Sequence, residues 1–415
     1  MAGLTRYSTL AATLRQRNFA LYLWGGWPAL VGMWVHRVAV GWLTWELTHS
    51  GTWLGLIAVA DLAPTVFVTP LAGVIADRMD RRILAIYSQA LAMLQAVALT
   101  ILTFTGAIEI WSLFALTFFL GIVLGVNTAA RLAMVPNLLP LQYVPSAVAM
   151  DSALFNIARF LGPAIAGVII AIWGVWPAFL FNSVTFVIYL AALFMARLVR
   201  DEGGGRHTGG MMAQILEGFR YARRHPGIGP MLLLLCAAAL GIKPFLELLP
   251  GFADAVFDRG ATGLAQMTAI AGVGAFISAI WLAQRGTPVG LTKFVIGGLV
   301  LGGLAVLGFT ATQDFRLALV GVFFAGMSTT LCGTGTQTLM QGVVDGAMRG
   351  RVMSLYGVIF RGGPALGALA MGSASEVIGL QPAVAAGSVI CFAAWLWLFR
   401  RQKDIIPVLE GGKPP

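Results

Sequence analysis

The stretch GVIADRMDRR, residues 73–82, decides how this chain is read. Six of its ten residues are Gly, Asp or Arg, yet apolar runs of about twenty residues flank it on both sides. A tight charged knot between two such runs is what a short loop between two membrane spans looks like. Outward from it the pattern repeats. Cuts at charges and at Pro/Gly clusters give twelve segments of spanning length: 19–46, 53–76, 83–106, 111–130, 148–171, 177–197, 228–250, 263–284, 293–312, 315–337, 352–373 and 382–399. In lipid the backbone must satisfy its own polar groups, so these segments are expected to be helices. An outer-membrane barrel would need alternating segments of about ten residues, which are absent.

Composition agrees. Of 415 residues, 58% are hydrophobic and only 11% charged, and the mean hydropathy is +0.85. No water-soluble domain covers that much apolar surface, so lipid is part of the solvent. The net charge of +10 is the charge of cytoplasmic loops rather than of a nucleic-acid surface, because no run mixes dense Lys/Arg with stacking aromatics. Clusters such as Arg78, Arg81 and Arg82, Arg220, Arg223 and Arg224, and Arg400 and Arg401 fall on one side of the predicted spans. The other side holds only Arg259 and Arg316. That asymmetry places both termini in the cytoplasm. The N-terminus lacks a short apolar core with a cleavage site, so no signal peptide is expected.

Cys236, Cys332 and Cys391 lie in apolar runs without metal spacing and read as small buried hydrophobes. No Walker loop, H-E-x-x-H or G-x-S-x-G is present, and His36, His49, His207 and His225 are scattered. The expectation is no enzyme, no metal and no cofactor.

The longest polar interruption, 198–227, begins Gly-rich and ends in an amphipathic helix over Met211–Arg224. It separates a cytoplasmic segment, 1–18, and a six-helix bundle, 19–197, from a second six-helix bundle, 228–400, and a cytoplasmic tail, 401–415. The halves echo each other. NIARFLGPAIAG (156–167) and VIFRGGPALGAL (358–369) each place an Arg, Arg159 or Arg361, just before a Gly-Pro pair. That is the pattern of duplicated bundles meeting at a central cavity.

Twelve spans in two halves, with G-x-x-x-D-R-x-x-R-R formed by Gly73, Asp77, Arg78, Arg81 and Arg82 between segments two and three, resemble the major facilitator superfamily. WVHRVAVGWLTWELTHSG (34–51), ARLAMVPNLLP (130–140), NIARFLGPAIAG and ILEGFRYARRHP (215–226) look like its enterobactin-exporter-like and drug:proton antiporter branch. The resemblance implies an all-α fold of two pseudo-symmetric six-helix bundles working by alternating access. It makes the motif a cytoplasmic latch, with Asp77 set against the start of the eleventh helix near Gly350 to Met353. The alternative is that the arginines only fix topology. Relatives often carry an acid at the inner end of segment four, whereas residues 110–150 contain no Asp or Glu. The second half keeps only Arg285 and Lys293 of the motif. Gly162, Pro163 and Gly167 resemble a reduced antiporter motif, a kink in helix five that also reads as plain packing.

Ionisable residues inside spans are costly and mark candidate sites. Arg37 lies nine residues before Glu46, and Asp61 nine after Thr52, which puts each roughly 13 Å below the outer surface. Asp61 is read as the proton-coupling acid with Arg37 as its modulator, or else the two form a static ion pair. His36 is a lesser coupling candidate. Arg159 and Arg361, midway along helices five and eleven, either receive an anionic cargo group or hold the counter-charge to Asp61. Lys243 joins them as a cavity candidate and pairs with Glu247, the second-choice proton site, on one face of helix seven.

The reading is a monomeric secondary transporter of a bacterial cytoplasmic (inner) membrane that exports a small amphipathic drug or siderophore-like compound against protons. Its partners are that cargo, protons and the bilayer, with no nucleic acid. The alternatives are an uncoupled facilitator or importer of another solute or lipid, and a non-transporting sensor or scaffold on the same fold.

Overall fold

The computed structural model describes residues 12–76, 80–134, 138–196 and 211–411, and every regular element among them is helical. The first half contains α1 (Arg17–Thr48), α2 (Gly51–Ala76), α3 (Arg81–Phe104), α4 (Ile110–Met134), α5 (Val144–Trp173) and α6 (Trp176–Met195). Next comes α7 (Met211–Arg224). The second half holds α8 (Ile228–Gly241), α9 (Phe245–Gly251), α10 (Gly260–Arg285), α11 (Leu291–Ala311), α12 (Phe315–Thr330), α13 (Thr336–Val343), α14 (Arg349–Ile378) and α15 (Leu380–Glu410).

Among the described residues eleven stretches are long and apolar enough to cross a membrane. α1 is 32 residues long but falls below the others in hydropathy. Five tryptophans, His36 and Arg37 dilute its aliphatic content. Large side chains such as Phe67, Trp111, Phe194 and Val377 stand exposed around the helices, which only a lipid solvent tolerates on this scale.

Capping follows helix-end chemistry. Asp80 accepts from the Arg82 and Ile83 amides at the start of α3, and Asp314 caps α12 in the same way. The fifth long helix of each half ends on a left-handed glycine, Gly174 with φ 83° and Gly379 with φ 85°, a conformation that a Cβ disfavours. Pro163 and Pro364 sit inside α5 and α14, and both helices run on past them.

The chain forms two compact units, Met1–Leu43 with Ala63–Thr208, and Thr44–Leu62 with Gly209–Pro415. The first is built on α3 against α4 and α6, around Phe19, Tyr22, Ala85, Ala96, Phe186, Tyr189 and Leu193. In the second, α12 packs on α10 and α11, while α15 packs on α8 and α11. This unit also takes in the tip of the α1–α2 hairpin. Gly55 lies directly on the Ala368–Leu369 backbone of α14. Ser50 donates to Glu376 Oε1 at 2.6 Å, and the Thr52 amide to the same atom at 3.2 Å. The Trp45 indole donates to Asp254 Oδ2 at 2.9 Å.

Three expected segments differ in form. The helix expected over 228–250 is interrupted at Ile242–Pro244, because Pro244 has no amide and its ring crowds the carbonyl four residues back. The Lys243 amide reaches instead to Ala238 O at 3.0 Å, and the span goes on through α9 and a π turn, Phe252–Val256. The segment expected over 315–337 contains a π turn at Leu331–Gly335 and extends to Val343. The stretch expected as a tail is helical to Glu410, whose carboxylate accepts from the Gly290 and Thr292 amides at the start of α11. The Gly-rich part of the linker lies outside the described residues. α7 packs on α14, where Gly218 meets the Arg351 backbone, Glu217 pairs with Arg351, and Tyr221 donates to Asp345 at 2.8 Å.

Candidate functional site

In the first unit α5 presents one face to a single aromatic residue of α1. Phe155, Arg159 and Gly162 recur at helical spacing, and each meets Trp34. The Phe155 ring stands edge-on to the indole at 6.0 Å. The Arg159 Cζ lies 5.9 Å from the ring centroid. Gly162 leaves room for the Trp34 Cβ, where a side chain would clash. Arg37, three residues after Trp34 and so on the same helical face, has its Cζ 5.8 Å from the same ring. Two guanidinium groups thus share one indole, and Arg37 acts electrostatically on Arg159. A cation–π contact contributes about 0.5–2 kcal/mol. Burying a cation costs several kcal/mol, so the ring alone does not offset it.

His36 points elsewhere. It is buried with its ring edge-to-face on Phe179 at 5.2 Å, and neither ring nitrogen has a partner among the described residues. Pro163 and Gly167 are buried one and five positions beyond Gly162.

Asp61 belongs to the second unit with residues 44–62, whereas Arg37 belongs to the first. Asp61 shares the second unit with Arg361 of α14, on which its charge acts. Lys243 sits in the break between α8 and α9. Its Nζ donates to the Phe360 carbonyl at 3.1 Å and lies 3.2 Å from the centroid of the Phe360 ring. Gly333, in the π turn after α12, lets that ring approach the backbone, and Tyr356 stacks on it at 5.4 Å. Lys243 and Glu247 are joined by a tightened turn, in which the Leu246 amide donates to Lys243 O at 3.1 Å and the Glu247 amide to Pro244 O at 3.0 Å. Glu247 is partly buried in α9.

In the charged knot, Asp77 and Arg78 lie outside the described residues. Gly73 ends up in α2 and Arg81 opens α3, with their side-chain surroundings outside the description as well. Arg82 is fully placed. Its Nε donates to Leu193 O at 3.0 Å and its Nη2 to Phe194 O at 2.6 Å, so it closes the C-terminal turn of α6 against the helix dipole.

A cluster that the sequence reading passed over stands at the C-terminal end of α4. Arg131 donates to the Tyr22 hydroxyl at 3.1 and 2.9 Å and pairs with Asp151 at 3.3 Å. Tyr189 packs edge-on to Tyr22 at 6.2 Å. Asp151 is the first residue after the acid-free window 110–150, so a window one turn longer would have found it. Trp34 was legible as well, since it precedes Arg37 by one helical turn. Phe360 gave no signal, because a Phe beside an Arg in an apolar run reads as lipid-facing.

The family described as transmembrane secretion effectors matches residues 8–406. The staphyloferrin A transporter of Staphylococcus aureus is 24% identical over 378 residues, covering 90% of this chain and 94% of that protein. The multidrug resistance protein MdtG of Salmonella schwarzengrund is 26% identical over 368 residues, with coverage of 85% and 86%. A crystal structure of a POT family transporter in complex with 5-aminolevulinic acid superposes with a TM-score of 0.75 at 14% identity, covering 94% of this chain and 96% of that one.

Proposed function

The chain belongs to the transmembrane secretion effector family of major facilitator transporters, and from that premise we propose that it exports a small amphipathic compound against proton entry. It is a multi-pass membrane transporter of small molecules, not an enzyme. The relatives named for staphyloferrin A transport and multidrug resistance support a cargo of siderophore or drug type. The observation that carries proton coupling is the placement of Asp61. It is a carboxylate in an apolar helix that shares the second unit with Arg361 of α14 and acts on it electrostatically, and in this reading its protonation weakens the hold of that charge.

In this reading Asp61 takes up the proton, with Arg37 as modulator and Glu247 and His36 as secondary sites. Arg159, Arg361 and Lys243 line the cargo path. The six-helix halves 19–197 and 228–400 alternate access, the Gly162–Pro163–Gly167 segment flexes between states, and Gly73, Asp77, Arg78, Arg81 and Arg82 latch the cytoplasmic side. Both termini face the cytoplasm of a bacterial inner membrane, and the monomer is the working unit. Proteoliposomes with an imposed pH gradient test it. Lipophilic cations, siderophores and neutral amphiphiles are added while internal pH is followed. Cargo-dependent proton flux that Asp61→Asn abolishes is the expected result. Cargo movement indifferent to pH and to Asp61→Asn would leave an uncoupled facilitator.

A further inference from the structure

Resting on the transport reading, we propose that Arg159 and the Trp34 face beside it dock the cargo in the first unit. The docked group is an anion, a carboxylate or similar oxyanion carried by a compound with an aromatic or apolar body. Among the described residues no carboxylate and no hydrogen-bond acceptor meets the Arg159 guanidinium. The charge that acts on it is another cation, Arg37. The two guanidinium carbons stand 5.9 and 5.8 Å from one indole centroid. Trp34 Nε1 is buried with no partner, so the wall of the site carries a further unmatched donor. Both Arg159 and Trp34 are only partly buried as residues, which leaves the site open to a ligand group.

Each of these features favours the same chemistry. A guanidinium is donor-only and is matched by an acceptor-only, negatively charged group. A cationic cargo would meet the like charge of Arg159 here, and a neutral one would leave that positive charge inside the membrane uncompensated. The edge-to-face pair of Trp34 and Phe155 gives the body of such a compound an aromatic surface. α5 builds the arrangement with three residues on one face, and Gly162 sets the approach.

The test uses three probes of one shape, indole-3-acetate, indole-3-acetamide and tryptamine, titrated calorimetrically into the purified full-length protein in nanodiscs with no gradient. The acetate is expected to bind about 10- to 100-fold more tightly than the amide or the amine, the range for one hydrogen bond to a charged group. Arg159→Gln brings acetate to the level of the amide, and Arg159→Lys keeps part of the preference. If Arg159→Gln fails to fold, as read by size-exclusion chromatography and thermal melting, Arg159→Lys carries the test through a reduced preference. Acetate and amide bound alike, no binding of acetate, or a preference untouched by either substitution overturns the assignment. Binding is read without a gradient, so a failure of proton-driven flux leaves this result standing. A failed acetate preference likewise leaves the flux result standing.

Discussion

The Arg131 guanidinium holds the Asp151 carboxylate at 3.3 Å, joining the end of α4 to the first turns of α5, and Tyr22 of α1 bridges the two. The tyrosine receives two bonds from Arg131 and donates to Asp151 Oδ1 at 3.4 Å. Three helices of the first unit are thereby tied at one point. Asp151→Asn leaves a partly buried guanidinium facing a neutral amide and is expected to cost about 1–3 kcal/mol. Tyr22→Phe keeps the ion pair and is expected to cost about 1 kcal/mol. Thermal unfolding of the purified protein in detergent checks the order. A larger loss in Tyr22→Phe would make the hydroxyl, not the ion pair, the centre of the knot.

Close backbone approach divides the glycines into two kinds. At Gly274 of α10 an added Cβ meets the Phe323 carbonyl, and at Gly326 of α12 it meets the Ala271 backbone. The two helices therefore touch backbone to backbone. Alanine at either site is expected to destabilise by about 1–3 kcal/mol. Gly297 and Gly308 of α11 have nothing within 4 Å of such an atom. Alanine there is expected to be neutral or to stabilise by about 0.5–1 kcal/mol through helix propensity. Melting curves of the four single variants decide it, and equal losses at all four would refute the distinction.

The Glu376 carboxylate holds the start of α2 onto α14 through Ser50 and the Thr52 amide. Both bonds are charge-assisted. Glu376→Ala should loosen the hairpin tip, and amide exchange across residues 44–62 should quicken by about tenfold, the equivalent of one such bond. Exchange in α3 should stay unchanged and serves as the internal reference. Unaltered exchange at the tip would mean that the Gly55 packing and the Trp45–Asp254 bond hold it unaided.

How much of this was legible beforehand depended on range. Apolar length and the Arg-rich loops specify spans because lipid is an unforgiving solvent, so the twelve-segment pattern and the Met211–Arg224 helix were readable locally. The break at Ile242–Pro244 was less legible, because Pro244 stands as a single residue in an otherwise apolar run. Glu410 looked like part of a polar tail, since its role as a cap for α11 depends on a residue more than a hundred positions away. The face joining Phe155, Arg159 and Gly162 was present as helical spacing, but its target, Trp34, lies on another helix, and a single sequence carries no record of which helices meet. Arg82 shows the same limit. Its charge was visible, whereas the carbonyls of Leu193 and Phe194 that it closes belong to a tertiary contact.

The corner between α7 and α8 is expected to respond to pH through His225. Its Nδ1 accepts from the Gly227 amide at 3.1 Å and the Ile228 amide at 3.2 Å, a role open only to the unprotonated nitrogen. Burial pushes the imidazole below its ordinary value, with Asp345 opposing. Tyr221 occupies that carboxylate by donating to it and stands 5.8 Å from the His225 ring. The folded pKa is lower than the unfolded one. The corner therefore keeps its full stability above about pH 6.5 and loses it as pH falls below that value, because the unfolded corner takes up a proton that the folded one resists. Amide exchange over residues 211–228 should accordingly be faster at about pH 5.5 than at about pH 7.5, once corrected for the intrinsic rate. His225→Asn retains an acceptor but does not titrate, and it should erase the difference. A pH response that persists in this variant would show that His225 is not the titrating group.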